Sequence, residues 1–232
     1  MCATSTRSPA ARAEVAIGDL FGDVAPAREA IEQLAEGAVL LRGFARNEAA
    51  ALVAAVAQVS AAAPFRHMVT PGGWKMSVAM TSCGKAGWVT DRSGYSYAAE
   101  DPLTGLAWPP MPAGMRQLAA RAAAASGFGD FGPDACLINR YEPGARLSLH
   151  RDEDERDLTA PVVSVSFGLS AVFLWGGLAR NERAQRVRLE NGDVVVWGGP
   201  SRLVYHGVAP LGEGVHPLTA RSRINLTFRK AL

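Results

Sequence analysis

The second half of the chain is a series of short β-type segments, and this series restricts the fold more than any other feature of the sequence. Eight segments rich in β-branched and aromatic residues occur at 135–142, 146–152, 161–169, 171–176, 186–191, 193–198, 202–208 and 223–230. Turn sequences such as EPGA, GGL, ENGD and GGPS separate them, without a helical pattern in between. Closely spaced strands of this kind are typical of a double-sheet barrel or sandwich. The pattern therefore predicts a jelly-roll core over about 133–230.

Alanine-rich segments precede this core and have helical character. Helices are predicted over 25–34, 47–62 and 112–126. Asn47 is suited to cap the second helix, and Gly127 to end the third. A short apolar run at 38–44 fits a buried strand, whereas residues 65–108, rich in glycine, threonine, serine and aromatic residues, have the character of loops. The predicted fold class is α+β, mainly β: a jelly-roll buttressed by helices.

The length of 232 residues fits one domain that can bury its own core. We predict that domain over 19–232, after a disordered tail over 1–18. The net charge of +2 gives no overall basic signature of nucleic-acid binding, so a nucleic-acid partner would need a local basic patch. Candidates for that patch are Lys75, Lys85, Arg92, Arg180 and Arg183. Each of them taken alone is more simply explained as a solvated charge.

Cysteine usage and hydropathy indicate the compartment. The three cysteines, Cys2, Cys83 and Cys136, are widely spaced and form no C-x-x-C motif, as expected of free thiols in a reducing compartment. No apolar run approaches the roughly 18 residues that a membrane span needs. The N-terminus has no continuous apolar segment of the signal-peptide type. We therefore expect a cytoplasmic protein without a membrane partner.

The motif with most chemical content is His150-Arg151-Asp152. Residues two apart on a strand point to the same face, so His150 and Asp152 could supply two ligands of the 2-His-1-carboxylate triad that binds Fe(II). A bare H-x-D motif also occurs by chance. Of the other histidines, His67 lies in a loop-like segment and His216 in a turn. His206, on a late strand, is the favoured third ligand.

The last predicted strand carries the second part of the pattern. Arg223, Asn225 and Arg229 have the parity of one strand face, and Ile224, Leu226 and Phe228 that of the other. An arginine facing the interior could hold a buried carboxylate by its bidentate fork. The alternative is a solvated face of an edge strand. The upstream H-x-D and His206 favour the carboxylate site.

Several segments together resemble the bacterial AlkB dealkylases, and the similarity extends over about residues 18–230. These segments are FRHMVTPGGWKMSVAMTSCGKAGWVTDRSGYSY (65–97), WPPMP (108–112), PDACLINRYEPGARLSLHRDEDE (133–155), GDVVVWGGPSRLVYHGV (192–208) and HPLTARSRINLTFR (216–229). The resemblance implies a double-stranded β-helix, the family's form of the jelly-roll. It also implies a nucleotide-recognition lid at about 65–108.

The resemblance further implies a role for each matching residue. Iron ligands and catalytic centre would be His150, Asp152 and His206. The 2-oxoglutarate site would comprise Asn139, Tyr141 and Arg223 around one carboxylate, and Asn225 and Arg229 around the other. Substrate contacts would come from Trp88, Tyr95, Ser96 and Tyr97 in the lid, with Asp154 and Arg180. Arg151 and Glu153 depart from the family, whose nearest members have a glutamine and a lysine at these positions.

The aromatic residues of the lid also have a physical rationale of their own. A damaged base must leave the stack before its substituents can be reached, and a flipped base is held by flat aromatic surfaces. Trp88, Tyr95 and Tyr97 lie in a glycine-rich stretch and could provide such surfaces. The alternative is that they pack a β-hairpin against the domain.

The activity implied is an Fe(II)- and 2-oxoglutarate-dependent dioxygenase that uses O2 to demethylate 1-methyladenine and 3-methylcytosine, releasing formaldehyde, succinate and CO2. The implied partner is alkylated DNA, single- or double-stranded, with RNA as a further substrate, and the expected state is a monomer. Two other functions remain open: the same chemistry on a protein, lipid or small molecule, and a non-catalytic nucleic-acid-binding module. The aromatic lid argues against the first, and the complete set of candidate ligands against the second.

Overall fold

Two β-sheets and a layer of helices make up the computed structural model, which describes Met1 and residues 30–232. The larger sheet has the strand order β1-β2-β12-β9-β14-β7-β4-β3 and the smaller β11-β10-β13-β8. A separate hairpin, β5-β6, belongs to neither sheet. This is the predicted jelly-roll, and the fold class is confirmed. Apart from Met1, the predicted tail over 1–18 lies outside the described residues.

The elements follow one another mostly as short strands. The first part of the described chain contains β1 (Ile31–Ala35), β2 (Ala38–Leu41), α1 (Ala49–Ala62), β3 (Arg66–Val69), β4 (Lys75–Gly84), β5 (Gly87–Asp91), β6 (Gly94–Ala98) and α2 (Ala113–Ala125). The second part contains β7 (Ala135–Tyr141), β8 (Leu147–His150), β9 (Val162–Gly168), β10 (Ala171–Trp175), β11 (Gln185–Leu189), β12 (Val194–Trp197), β13 (His206–Val208) and β14 (Arg223–Arg229). None of the helices within 30–232 is long and apolar enough to cross a membrane.

Two apolar clusters hold the three layers together. One lies between the helices and the larger sheet and includes Leu52 of α1, Met115 of α2 and Leu226 of β14. The other lies between the two sheets and includes Phe173 of β10 and Trp197 of β12. Burial of apolar area on both faces of the larger sheet is the main stabilising contribution, at about 25 cal/mol per Å².

Strand β14 shows how the sequence pattern sets the two faces. It pairs with β7 on one side and β9 on the other, and all seven of its residues are buried. Ile224, Leu226 and Phe228 join the cluster beneath the helices. The intervening residues from Arg223 to Arg229 therefore point into the space between the sheets, as their parity predicts.

Three local predictions are wrong. Residues 31–34 of the first predicted helix form strand β1, because pairing with β2 outweighs the helical preference of an alanine-rich segment; the earlier part of that helix lies outside the described residues. Asn47 is not the N-cap of α1, which begins after a 3-10 turn over Arg46–Glu48 and has no side-chain cap. The predicted strand 202–208 is reduced to β13, because residues after the 3-10 turn over Gly199–Ser201 continue that turn: the Arg202 and Val204 N–H groups donate to the Gly199 and Ser201 carbonyls.

The segment 65–108, which the sequence suggests to be loop-like, contains a ten-residue strand of the larger sheet. Strand β4 pairs with β7, and its residues from Val78 to Cys83 are all buried. The buried Thr81 hydroxyl is satisfied by a 2.6 Å hydrogen bond that it donates to the Ala63 carbonyl. A strand covered on both faces lacks the polar–apolar alternation by which strands are recognised.

Gly84, which ends β4, is predicted to tolerate no side chain. Its φ is +119°, and a Cβ there would lie 2.3 Å from the Asp134 carbonyl oxygen. Strain and overpacking together should make Gly84→Ala cost about 2–4 kcal/mol of unfolding free energy in urea titration. Gly129→Ala is the control, because a Cβ there meets open space. Equal midpoints for the two variants would contradict the prediction.

Candidate metal centre and its cleft

Three side chains converge where the smaller sheet ends. Strands β8 and β13 are neighbours, and their register places His206 directly opposite His150. Asp152 follows His150 by two residues, just beyond β8. One ligand atom from each of the three residues lies within 4.8 Å of the others. Each histidine Nε2 is 3.9 Å from an oxygen of the Asp152 carboxylate. Sheet pairing thus brings together residues more than fifty positions apart.

Backbone carbonyls orient both imidazole rings. His150 Nδ1 is 2.9 Å from the Ser148 carbonyl oxygen, and His206 Nδ1 is 3.0 Å from that of Val204. A carbonyl only accepts, so Nδ1 of each ring carries the proton and donates it. This tautomer leaves the Nε2 lone pair of each ring directed at the shared space, as metal ligation requires.

Burial and neighbouring charges set the ionisation of this centre. Burial lowers the pKa of His206 to about 4, and proximity to His150 contributes in the same direction. Burial alone would raise the pKa of Asp152, but Arg229 and the two histidines outweigh it and hold that pKa well below its usual range. At neutral pH the centre therefore presents a neutral His206 and an ionised Asp152, which fits Fe(II).

Arg229 holds the Asp152 carboxylate from the side of β14. Its Nε and Nη2 groups donate to Asp152 Oδ2 at 2.9 and 2.8 Å. Its Nε also lies 3.2 Å from Glu155, which in turn pairs with Arg202 at 3.0 Å. Sequence reasoning missed Glu155 and Arg202. Both occur in polar stretches of ordinary appearance, and only the tertiary structure shows that they are buried.

A small cavity behind the histidines has the chemistry of a carboxylate site. Asn139, Tyr141, Arg223 and Asn225 line it, together with both histidines. Arg223 is 1% exposed and lies 4.9 Å above the Tyr141 ring. Its Nη2 group donates to Ser166 Oγ at 2.9 Å. Among the described residues, its Nε and Nη1 groups have no partner.

The Arg223 guanidinium indicates which kind of cosubstrate this cavity suits. A buried charge without a counter-ion is strongly unfavourable, and arginine matches a carboxylate through two parallel hydrogen bonds. Arg223 differs in this respect from Arg229, whose charge is balanced by Asp152 and Glu155. The residues present therefore fit a dicarboxylate such as 2-oxoglutarate, with one carboxylate on Arg223 and the other near the metal ligands.

On its other side the centre opens into a cleft of about 680 Å³. The rings of Trp88 and Tyr95 stack at its edge, with centroids 5.2 Å apart and planes 14° from parallel. Trp88 Nε1–H donates to Asp154 Oδ2 at 2.8 Å, which fixes the hairpin against the metal-bearing segment. Asp154 and Arg180 also line the cleft. A cavity of this size accommodates a small organic ligand.

Two other residues assigned to the lid lie elsewhere. Tyr97 does not line the cleft; its O–H donates to Glu155 Oε1 at 2.6 Å, and burial raises its pKa well above the ordinary value. Ser96 is exposed and, by strand alternation, points to the opposite face of the hairpin from Tyr95 and Tyr97.

Arg151 and Glu153, the two residues beside Asp152 that depart from the family, pair with each other. Arg151 Nη2 lies 2.6 Å from Glu153, and its guanidinium lies 5.5 Å from the Tyr205 ring. Both residues line the cleft, as does Lys75. The other candidates for a basic patch, Lys85, Arg92 and Arg183, are exposed and do not line it.

Comparison with known proteins agrees with the fold and with the metal centre described above. The family model of the 2OG-Fe(II) oxygenase superfamily matches residues 37–229. The chain is 59% identical over 213 residues to the alpha-ketoglutarate-dependent dioxygenase AlkB of Escherichia coli (strain K12), which covers 92% of this chain and 97% of that protein. It is 43% identical over 182 residues to the corresponding AlkB homolog of Caulobacter vibrioides, covering 78% and 81%. The solved structure of OsALKBH1 matches with a TM-score of 0.76 at 30% identity, covering 87% and 100%.

The buried state of His206 predicts a pH dependence of stability. Unfolded histidine titrates near about 6.5, whereas the folded pKa of His206 is about 4, so the unfolded chain binds more protons between these values. The metal-free protein should therefore lose up to about 3 kcal/mol of unfolding free energy as pH falls through this window. His206→Gln should lack this contribution. If the unfolding free energies of the wild type and His206→Gln changed with pH in the same way, the low pKa of folded His206 would be refuted.

Proposed function

The chain belongs to the AlkB family of the 2OG-Fe(II) oxygenase superfamily, and from this membership we propose that it is an Fe(II)- and 2-oxoglutarate-dependent dioxygenase that repairs alkylated nucleic acid. The observation that carries the proposal is the position of the metal triad between two spaces. The inner cavity contains the guanidinium of Arg223, which pairs with no carboxylate of residues 30–232, and the outer cleft runs beneath stacked aromatic rings. One suits an anionic cosubstrate and the other a flat base.

Within this proposal, His150, Asp152 and His206 hold the iron, and Arg223 with Tyr141 and Asn139 holds 2-oxoglutarate. Iron with 2-oxoglutarate and O2 supplies the oxidising power for a strong C–H bond of an N-linked alkyl group. Oxidation of a methyl group releases it as formaldehyde and leaves the unmodified base, while the cosubstrate leaves as succinate and CO2. The protein contributes placement and the exclusion of side reactions.

Asp154 and the two stacked rings orient the base. Trp88 occupies one oxygen of the Asp154 carboxylate, which leaves the other available to an exocyclic amino group. A carboxylate also favours the positive charge of 1-methyladenine and 3-methylcytosine over a neutral base. Trp88 and Tyr95 supply the aromatic surface, Arg180 contributes a cation at the cleft, and Tyr97 anchors the hairpin through its bond to Glu155. Asn225 and Arg229, which also line the inner cavity, are the residues that we propose around the second carboxylate of 2-oxoglutarate.

The remaining assignments extend the same proposal. One domain over 19–232 carries the activity, with its lid at 65–108 and its jelly-roll at 133–230. Within this proposal the protein acts as a monomer. The substrates are methylated DNA, single- or double-stranded, and RNA. Cys83 and Cys136 face each other on paired strands as free thiols, which supports action in the reducing cytoplasm.

Product analysis tests this function. The iron-loaded protein is incubated with 2-oxoglutarate and oligonucleotides that carry 1-methyladenine or 3-methylcytosine. We expect formaldehyde and repaired base in equal amounts, and at least as much succinate. Succinate formation that is indifferent to the methylated oligonucleotide would indicate another substrate. Absence of succinate under all conditions would indicate a binding module without catalysis.

Arg223 generates the next prediction. Without its guanidinium the cosubstrate carboxylate loses its charge partner, at a cost on the order of 2–5 kcal/mol. Arg223→Met should therefore raise the half-saturating 2-oxoglutarate concentration by about thirtyfold or more. Because an unpaired buried charge is removed, its melting temperature should not fall below that of the wild type. A shift in half-saturation below twofold would rule out the carboxylate role.

Trp88 separates recognition of the base from packing of the hairpin. Base–aromatic stacking is worth roughly 1–3 kcal/mol, so Trp88→Ala should weaken oligonucleotide repair by about five- to 150-fold. Turnover of 2-oxoglutarate without oligonucleotide should persist, because Arg223 and the metal ligands lie on other strands. Trp88→Phe, which keeps a ring but loses the bond to Asp154, should fall between. Loss of stability together with both activities in Trp88→Ala would instead identify a packing residue.

A further inference from the structure

Two buried charged residues have no part in the chemistry above. The side chains of Glu155 and Arg202 are 2% and 4% exposed. Neither lines the cleft or the inner cavity, so neither can touch a ligand held there. A buried ion pair is often no more stabilising than apolar residues of the same volume. Stability alone is therefore a weak reason for this pair, and its contacts indicate another.

Arg202 holds the backbone of the metal-binding segment. Its Nη1 group donates to the Asp152 carbonyl oxygen at 2.7 Å, and its Nε group to that of Ala160 at 3.0 Å. Its Nη2 group donates to Glu155 Oε2 at 3.0 Å. Because the guanidinium is planar and each of its three nitrogen atoms donates a hydrogen bond, it fixes the peptide group of Asp152 relative to Glu155.

Glu155 connects this guanidinium to two further elements. Its Oε1 atom accepts from the Tyr97 hydroxyl of strand β6 at 2.6 Å and lies 3.2 Å from Arg229 Nε of strand β14. Arg229 in turn holds the Asp152 carboxylate. Asp152 is thus held at its backbone by Arg202 and at its side chain by Arg229, and Glu155 lies between the two guanidiniums.

The charges of this cluster balance before a metal arrives. Two carboxylates, Asp152 and Glu155, face two guanidiniums, Arg202 and Arg229. If Glu155 were neutral, Arg229 would have Asp152 as its only anionic partner and would compete more strongly with a metal for that carboxylate. Arg202 would also lose the anion that holds it against the Asp152 carbonyl. Both changes weaken the metal site.

We propose that Glu155 is a positioning residue with two effects. It sets the metal affinity of Asp152, and through Tyr97 it holds the β5–β6 hairpin against the metal centre. The inference rests on the proposed function in that it requires a metal at the triad. Its consequence is a linkage: because one carboxylate serves both the hairpin and the metal ligand, occupancy of the metal site favours the ordered hairpin, and the reverse holds by the same free energy.

The metal arm is tested by titrating the metal-free protein with Mn²⁺ and following the free ion by electron paramagnetic resonance, without O2. Glu155→Gln keeps the shape of the side chain and removes its charge. We expect its dissociation constant for Mn²⁺ to rise about tenfold or more, the size typical of changes next to metal ligands. Asp101→Asn is the matched control, because Asp101 is also buried and pairs with Arg66 at 2.7 Å away from the metal ligands.

The control should lower thermal stability and leave the Mn²⁺ dissociation constant within twofold. A shift in Glu155→Gln no larger than in the control overturns the positioning role. If Glu155→Gln does not fold, Arg202→Lys decides the question, because it keeps the charge but loses the fork: a rise of fivefold or more supports the proposal, and less than twofold overturns it. Wild-type protein that binds no Mn²⁺ would instead refute the proposed function.

The hairpin arm is tested with Tyr97→Phe, which removes one hydroxyl and keeps the ring. We expect the Mn²⁺-loaded variant to bind a 1-methyladenine oligonucleotide at least fivefold more weakly, by fluorescence anisotropy, with a smaller change in Mn²⁺ affinity than in Glu155→Gln. Unchanged oligonucleotide affinity would show that the hairpin does not depend on Glu155 and would overturn this arm of the proposal.

Discussion

Strand β14 lies in the middle of the larger sheet and has no side that faces solvent, so each of its side chains must find a partner inside the protein. Its apolar residues meet the helices, and its polar residues enter the space between the sheets. The same seven residues therefore contribute to the hydrophobic core and to the candidate site. Because strand alternation couples the two faces, a slip of one residue would place Arg223 beneath the helices and Leu226 beside the histidines.

The two arginines at the ends of this strand meet burial in opposite ways. Arg229 is balanced by Asp152 and Glu155, whereas Arg223 has, within the part of the chain that the structure describes, only Ser166 and the face of Tyr141. The pairing of Arg229 holds the Asp152 carboxylate in place. The arrangement at Arg223 leaves a positive charge that can attract an anionic ligand. A jelly-roll can retain such a cation because the surrounding strands are fixed by backbone pairing that does not depend on it. Stability and ligand binding thus rely on different interactions.

The sequence was most informative where one physical rule dominates. Alternation along β14 and the closely spaced strands after residue 133 predicted the jelly-roll, and the H-x-D spacing with a late-strand histidine indicated three residues that β8–β13 pairing brings together. Prediction from the sequence failed where tertiary contacts determine the local structure. Strand β4 is covered on both faces and shows no alternation, and residues 31–34 become a strand only because β2 offers an edge. Glu155 resembles any surface glutamate until Tyr97, Arg202 and Arg229 surround it.

The hairpin β5–β6 forms a sheet of its own and shares no backbone strand pairing with either of the two main sheets of residues 30–232. It is attached through a few side-chain bonds: Trp88 to Asp154, Tyr97 to Glu155, Thr90 to the Val69 carbonyl of β3, and Trp108 to the Ala98 carbonyl. Residues 87–98 are thus a short contiguous cassette, separate in the chain from the strands that bear the metal ligands. Exchanging this cassette between relatives, with its anchoring tryptophan and tyrosine retained, would alter what is recognised and leave the oxidative chemistry intact. Substrate range in such a protein can evolve through a dozen codons without disturbing the jelly-roll.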